Sequence, residues 1–182
     1  MRVVEYFRKE HNTIQVMTGV LGLICNHLEI NDSLAVSRMK TALSLLKDFL
    51  LKNHTAKEDD IYFLAIEDPG MPKDIGPLYL MLEEHNLGRY HINTLEEQVH
   101  RYSIDDYKEA AEIVRNVRNY MSFLNFHHNK EETIIYPLIE KIVHQQKLAQ
   151  VIGSYKEHVV DRRFYELLYD LNKTQLKKRR YS

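Results

Sequence analysis

The sequence predicts an all-α fold, an up-down-up-down four-helix bundle with an additional C-terminal helix, and three observations support that prediction. Apolar residues recur at the three- and four-residue spacing of a helix over long stretches. Glycine and proline are sparse, 6 and 4 in 182 residues, and three of the prolines fall between positions 68 and 77, so the breakers gather at one point. No stretch alternates apolar and polar residues as a half-buried strand does.

The first helix is expected over about 3–29, with Phe7, Ile14, Met17, Leu21 and Ile24 marking its apolar face. Asn31-Asp32-Ser33 reads as a turn in which Asp32 or Ser33 is the N-cap. A second helix over about 34–66 keeps a stripe of Met39, Leu43, Leu46, Leu50, Ile61 and Leu64. The DPGMPKDIG loop at 68–76 is the clearest break in the chain. The third helix, about 77–101, opens on Pro77, where a first-turn proline is tolerated. Ser103 and Asp106 read as a capping pair before a fourth helix over about 104–144, and Pro137 inside it predicts a kink. A fifth helix is expected over about 147–176, its first turns weakened by Gly153. Residues 1–145 then form the bundle, while 146–182 add a helix and a basic KKRR tail packed on the same domain.

Composition narrows the function classes. Lys and Arg number 25 against 26 Asp and Glu, so no excess of positive charge points to nucleic acid. Cys25 is the single cysteine, which excludes an internal disulfide and a cysteine-based metal site. No apolar run approaches the ~20 residues of a membrane helix, and the start MRVVEYFRKEH carries charges every few residues. A cytoplasmic protein that engages neither membrane nor nucleic acid is expected, with any protein partner unspecified.

The informative segments are FHHNKEETIIYP at 126–137 and NHTAKEDDIYF at 53–63. Both carry a His, a Lys three residues on, an acid at the fourth position, a second acid, and an Ile three residues past the first acid. On a helix, positions i and i+4 share a face, so His54 with Glu58 and His127 with Glu131 each aim at one point. KEHN at 9–12 and EEHN at 83–86 place His11 and His85 upstream, 43 and 42 positions before the paired His. The chain therefore reads as two copies of one helix–turn–helix unit.

Depth along the bundle tests this reading. At ~1.5 Å per residue, His11 lies roughly 15 Å from the start of the first helix, and His54 and Glu58 roughly 12–18 Å from the end of the second. His85 is roughly 13 Å into the third helix and His127 roughly 20 Å or more from the end of the fourth, so all fall toward one end of the bundle. Imidazoles suit iron, zinc and copper, carboxylates can bridge two ions, and facing bundle helices are a known setting for such centres. Any one of these residues alone reads better as a hydrogen-bonded core His or a solvated surface pair. Six in register across two repeats read as a metal site, because two buried Glu without a cation are costly.

On these motifs the sequence resembles the hemerythrin-like (HHE cation-binding) family over about 5–145. The resemblance implies a non-haem centre of two Fe ions, carboxylate-bridged, with room for a bridging oxo or hydroxo group. Carried over by position, His11, His54, His85 and His127 are terminal ligands, and Glu58 and Glu131 bridge. It also implies binding or sensing of O₂, or of NO or peroxide. A di-iron enzyme of peroxidase, oxidase or NO reductase type is the alternative, and iron storage or buffering a third. No catalytic residue is assigned.

Two departures from that pattern stand out. Oxygen-carrying members have a His-x-x-x-His pair on the third helix, but Arg89 stands four residues after His85, and His91 falls on another face. One iron thus lacks its fifth His; water, or His158 of the fifth helix if that helix packs over the site, is the candidate to fill the position. Iron–sulfur repair members carry paired cysteines, whereas here Cys25 stands alone, which argues against that activity. His128 and Glu132 form a second i,i+4 pair, but alignment of Lys130 with Lys57 selects His127 and Glu131 and puts the other two one step round the helix. His128 and Glu132 are then expected just behind the ligands or on the surface, and Glu132 or Glu84 is a candidate to orient a ligand His. Most of the twelve Tyr read as core or surface, one of them near enough to the site to hydrogen-bond a bound species. His27, His100 and His144 sit near helix ends, where they can meet terminal carbonyls.

Overall fold

Two long rods and two more straight helices account for most of the chain, in a computed structural model that describes residues 3–30, 32, 34–67, 76–102, 107–155, 161–167 and 169–170. Helix α1 (Val3–Glu29) turns into α2 (Ala35–Phe49). Helix α2 continues through a wide π turn, Leu50–His54, into α3 (Thr55–Ile66). After α4 (Pro77–Arg101) comes α5 (Tyr107–Lys130), which passes through a second π turn, Glu131–Ile135, into α6 (Tyr136–Ile142). Helix α7 (Gln145–Ser154) follows. Among the described residues there is no strand.

Helix α1 packs on α2 and α5, and α4 packs on the same two. Cross-helix pairs show neighbours running antiparallel. Arg8 of α1 meets Glu132 at 2.9 Å and, at its other end, Glu29 meets Arg118 at 2.9 Å. Likewise Lys47 of α2 meets Glu96 at 2.5 Å, while Asp59 farther along the rod meets His85 at 2.6 Å. The interior has two apolar blocks. One gathers Ile14, Leu21 and Ile24 with Met39, Leu43, Leu46, Ile92 and Val117. The other gathers Phe7, Ile61, Tyr62, Ala65, Leu78, Ile135, Tyr136 and Ile139. Between them along every helix lies a buried polar layer holding His11, His54, Glu58, His85, His127 and Glu131.

Three expectations need adjusting. The fourth helix keeps nearly its expected span but widens at Glu131–Ile135 and ends at Ile142, before Val143, whose φ −98 and ψ 130 are extended. Pro137 therefore stands in the first turn of α6, where its missing N–H costs little. The C-terminal helix does not run unbroken from 147 to 176: α7 stops at Ser154, and the Tyr155 hydroxyl donates to Asp60 at 2.6 Å and stands 3.0 Å from the Ala56 carbonyl, tying the chain to α3. A separate helical turn at 162–167 buries Phe164 and Leu167. Third, Asp32 is not a side-chain N-cap of α2. It accepts from the Leu34 N–H at 3.0 Å, an Asx turn, and also takes His27 at 2.8 Å and Arg38 at 3.3 Å. His100 bonds the Glu96 carbonyl at 2.8 Å, whereas the His144 ring caps the start of α7, accepting from Gln146 N–H at 3.3 Å. Asn31, Ser33, most of the 68–76 loop, Ser103, Asp106, His158 and the KKRR tail lie outside the described residues.

Phe7 joins the lower apolar block to the polar layer, stacked on Tyr136 at 5.1 Å and edge-on to His54 at 5.6 Å. Phe7→Ala should therefore cost about 3–5 kcal/mol of folding stability in urea denaturation, and a change below about 1 kcal/mol would mean the site collapses without loss.

Candidate metal centre

The four expected imidazoles converge. Each enters from a different wall, His11 from α1, His54 from the π turn after α2, His85 from α4 and His127 from α5, and each is buried. Their Nε2 atoms face Glu58 and Glu131, which are wholly buried. His11 Nε2 lies 3.3 Å from Glu131 Oε2, and His54 Nε2 lies 3.3 Å from Glu58 Oε2. His85 Nε2 stands 3.3 Å from Glu131 and 3.5 Å from Glu58, and His127 Nε2 is 3.1 Å from Glu131. Both carboxylates thus lie between the two halves of the layer, which is where a bridging ligand must be.

Each imidazole is held from behind by a carboxylate on its Nδ1. His54 is bound to Glu10 at 2.9 Å, His127 to Glu84 at 2.9 Å, His11 to Glu132 at 2.9 Å and His85 to Asp59 at 2.6 Å. With Nδ1 engaged outward, Nε2 is left as the inward donor atom. The repeat accounts for the pattern. Glu10 and Glu84 directly precede His11 and His85, and each holds the paired His of its own unit. Asp59 and Glu132 directly follow the central Glu, and each holds the first-helix His of the other unit. The shared Lys holds the carboxylate brace: Lys57 pairs with Glu10 and Lys130 with Glu84. Glu84 and Glu132, considered from sequence, do hold ligand-candidate imidazoles; Glu10 and Asp59 were missed, although their adjacency to His11 and Glu58 in both repeats was the available signal.

Two tyrosines close the inner face. Tyr62 donates to Glu131 Oε1 at 2.8 Å, and Tyr136 donates to Glu58. Tyr62 follows Glu58 by four positions and Tyr136 follows Glu131 by five; the π turn at Glu131–Ile135 absorbs the extra residue, so each hydroxyl reaches the opposite Glu.

Of the two places expected for His128, the surface is ruled out: its ring stacks on His11 at 4.1 Å, and its Nε2 is buried without a hydrogen-bond partner. One residue of rotation separates it from His127, and the space at the centre is wide enough for α5 to present both. The doubled His was visible in sequence, but which ring points inward is set by how α5 is rolled against α1. Arg89 turns away to pair with Asp59, and His91 is exposed beside Tyr90 and Tyr120.

Electrostatics show how the layer behaves without a cation. Burial alone would depress His127, yet the charge and hydrogen bond of Glu131, with Glu84, lift it to about 9. Burial likewise opposes His11 and His85, and the surrounding carboxylates override it in both, raising His85 well above its ordinary range. Glu131 is pushed up by burial but held well below its usual range by His127, His11 and His85. The hydrogen bond from His127, with Lys130 beside it, holds Glu84 at about 2. His128 moves the other way, kept neutral by burial and by the neighbouring His11.

The donor set fits metal. Among the described residues two groups, His11 with His54, His128 and Glu131, and Glu58 with His85, His127 and Glu131, bring their ligand atoms within 4.8 Å of one another. His54 Nε2, Glu58 Oε2, His128 Nε2 and Glu131 Oε2 are buried there with no hydrogen-bond partner; His54 and Glu58 are close, but not aligned for a bond. Such orphaned atoms are rare in a folded interior and point to a ligand.

A helical bundle with this buried layer is a cation-binding protein of the His/carboxylate class. The family model described as the hemerythrin HHE cation binding domain matches residues 2–111, and the chain belongs to that family. The match takes in His11, His54, Glu58 and His85; His127, His128 and Glu131 lie beyond it and reach the site through the fold. No curated protein and no solved structure matches the chain. Among the described residues no helix is long and apolar enough to cross a membrane.

Glu10→Ala and Glu84→Ala should each weaken metal affinity roughly 10–100-fold by releasing one imidazole, as read by competition with a chelator; unchanged affinity in both would deny the carboxylates an orienting role. The pH dependence should invert on loading. In the metal-free protein the raised His127 contributes stability that is complete below about 6.5 and lost as pH rises through about 9. In the loaded protein acid is the threat, because a cation needs neutral imidazoles. Thermal melts across this range, with and without chelator, should show opposite slopes.

Proposed function

We propose that this chain is a non-haem di-iron protein that holds two iron ions between Glu58 and Glu131 and binds or senses a small ligand such as O₂, NO or peroxide. The observation that carries the reading is the layer itself: imidazole nitrogens from all four walls face two shared carboxylates, each imidazole braced at Nδ1. His11 and His54 would hold one ion, His85 and His127 the other, and Glu58 and Glu131 would be shared between them.

Iron held there would supply a Lewis-acidic binding position and, in its reduced form, electrons for O₂ or peroxide. The protein's share is enclosure. A cavity of about 20 Å³ adjoins the layer, touching His54, His85, His127 and His128 between Leu50 and Phe123. That volume is on the scale of one water-sized guest, so on this side of the layer the space suits a diatomic or peroxide ligand. Phe123 stacks on His127 at 5.8 Å and covers it, and Gly88 admits the ring: a Cβ there would stand 3.3 Å from Phe123. Tyr62 and Tyr136 keep the carboxylates oriented from the opposite side.

Protein expressed with iron should contain about two irons per chain, as the two donor groups require, and Glu58→Ala and Glu131→Ala should each lose metal. Mixing the reduced protein with O₂ should give an absorbance change that deoxygenation reverses. Rapid turnover with added reductant would instead establish the enzyme reading, and loosely held iron the storage reading.

A further inference from the structure

The sequence left one iron short of an imidazole because α4 carries Arg89 where a second His could stand. The fold answers from another helix. His128 is the one imidazole of the layer outside the expected ligand set, its Nε2 is buried and unpartnered, and it groups with His11, His54 and Glu131. We infer that His128 is a metal ligand, that it serves the same ion as His11 and His54, and that the open coordination position therefore lies on the ion held by His85 and His127.

This inference rests on the di-iron reading above and adds the distribution of ligands within it. The geometry allows one assignment. His128 stacks on His11 at 4.1 Å with the planes 13° apart, and meets His54 edge-on at 5.5 Å, so its donor atom shares their side of the layer. Glu131 lies three residues on, a spacing that puts both side chains on one face of the helix. Counting donors, the first ion has three imidazoles and a share in two carboxylates, because Glu58 Oε2 stands 3.3 Å from His54 Nε2 and Glu131 Oε2 stands 3.3 Å from His11 Nε2. The second ion has two imidazoles and the same two carboxylates. Nothing else on α4 completes it: Arg89 is bound to Asp59, and His91 is exposed, its ring 6.0 Å from Phe123.

The alternative role for His128 is packing against His11. A packing ring needs no unpartnered buried nitrogen, whereas this one leaves its Nε2 buried without a partner, offers a ligand atom to the donor group, and also lines a polar cavity of about 190 Å³ with Asn12, Asn125 and Asn129. A histidine with only a structural task could turn its polar edge to those amides.

The test uses the full chain, reconstituted anaerobically with ⁵⁷Fe(II), as wild type and as His128→Ala, His54→Ala and His85→Ala. Mössbauer spectra of the wild type should show two distinct iron environments. His128→Ala should disturb the same one as His54→Ala, and His85→Ala the other. Affinity for one iron in His128→Ala should fall at least tenfold, on the scale of losing even an orienting partner. In titration with nitric oxide the wild type should take up about one equivalent per chain and His128→Ala about two, since a second position is opened. If His128→Ala does not fold by circular dichroism, His128→Gln, which keeps the bulk of the ring, is read in the same way. Unchanged spectra and stoichiometry, or disturbance of the His85 iron, would overturn the inference while leaving the di-iron reading intact. A wild type that binds no iron would overturn that reading first.

Discussion

Two carboxylates in the middle of a helical bundle set the terms for everything around them. Glu58 and Glu131 are wholly buried, and an isolated buried carboxylate is costly enough to unfold a domain of this size. Among the described residues no Lys or Arg pairs with either; Lys57 and Lys130 hold Glu10 and Glu84 instead. Imidazoles are what the layer offers them, and imidazoles can meet the charge either as protonated partners or as co-ligands of a cation. The raised affinity of His11, His85 and His127 for protons is the same electrostatic demand expressed without metal.

Outward from that pair, the structure is a ring of braces. The four carboxylates on Nδ1 fix each imidazole so that its other nitrogen faces the centre. Precision of this kind needs rigid supports, and here the supports are helices rather than loops. The two apolar blocks on either side hold the helices in register, and Phe7 and Tyr136 connect one block to the layer itself. The π turns do local work within the frame. A wide turn shifts the helix face by one residue, which is how Tyr136 answers Tyr62 despite an extra residue in its segment. Their presence at Leu50–His54 and Glu131–Ile135, next to the ligand candidates in both halves, fits the association of such turns with functional sites.

The hemerythrin HHE cation binding family match ends at residue 111, so His127, His128 and Glu131 are recognised through sequence repetition and fold. The second unit repeats the first closely enough that Lys130, Glu131 and Ile134 follow Lys57, Glu58 and Ile61. It departs where the chain carries two adjacent histidines and where its π turn begins at the central Glu rather than ending at the paired His.

Much of this was written in the sequence. Periodicity and sparse breakers determine an all-α chain, and the doubled His-x-x-Lys-Glu with a lone upstream His singles out His11, His54, Glu58, His85, His127 and Glu131, because i,i+4 spacing puts donors on one helix face whatever the fold. The Glu10 and Asp59 braces were legible in hindsight as neighbours of ligand positions, but adjacency alone does not say which partner a side chain reaches across the bundle. The ends of helices were less legible: Pro137 predicts a disturbance, yet whether a chain kinks, widens or stops depends on what packs beside it. Tertiary structure alone decided the place of His128. Two residues 100° apart on a helix cannot both be judged inward or outward until the roll of α5 against α1 and α4 is known, and that roll is set by the packing of apolar blocks many residues away.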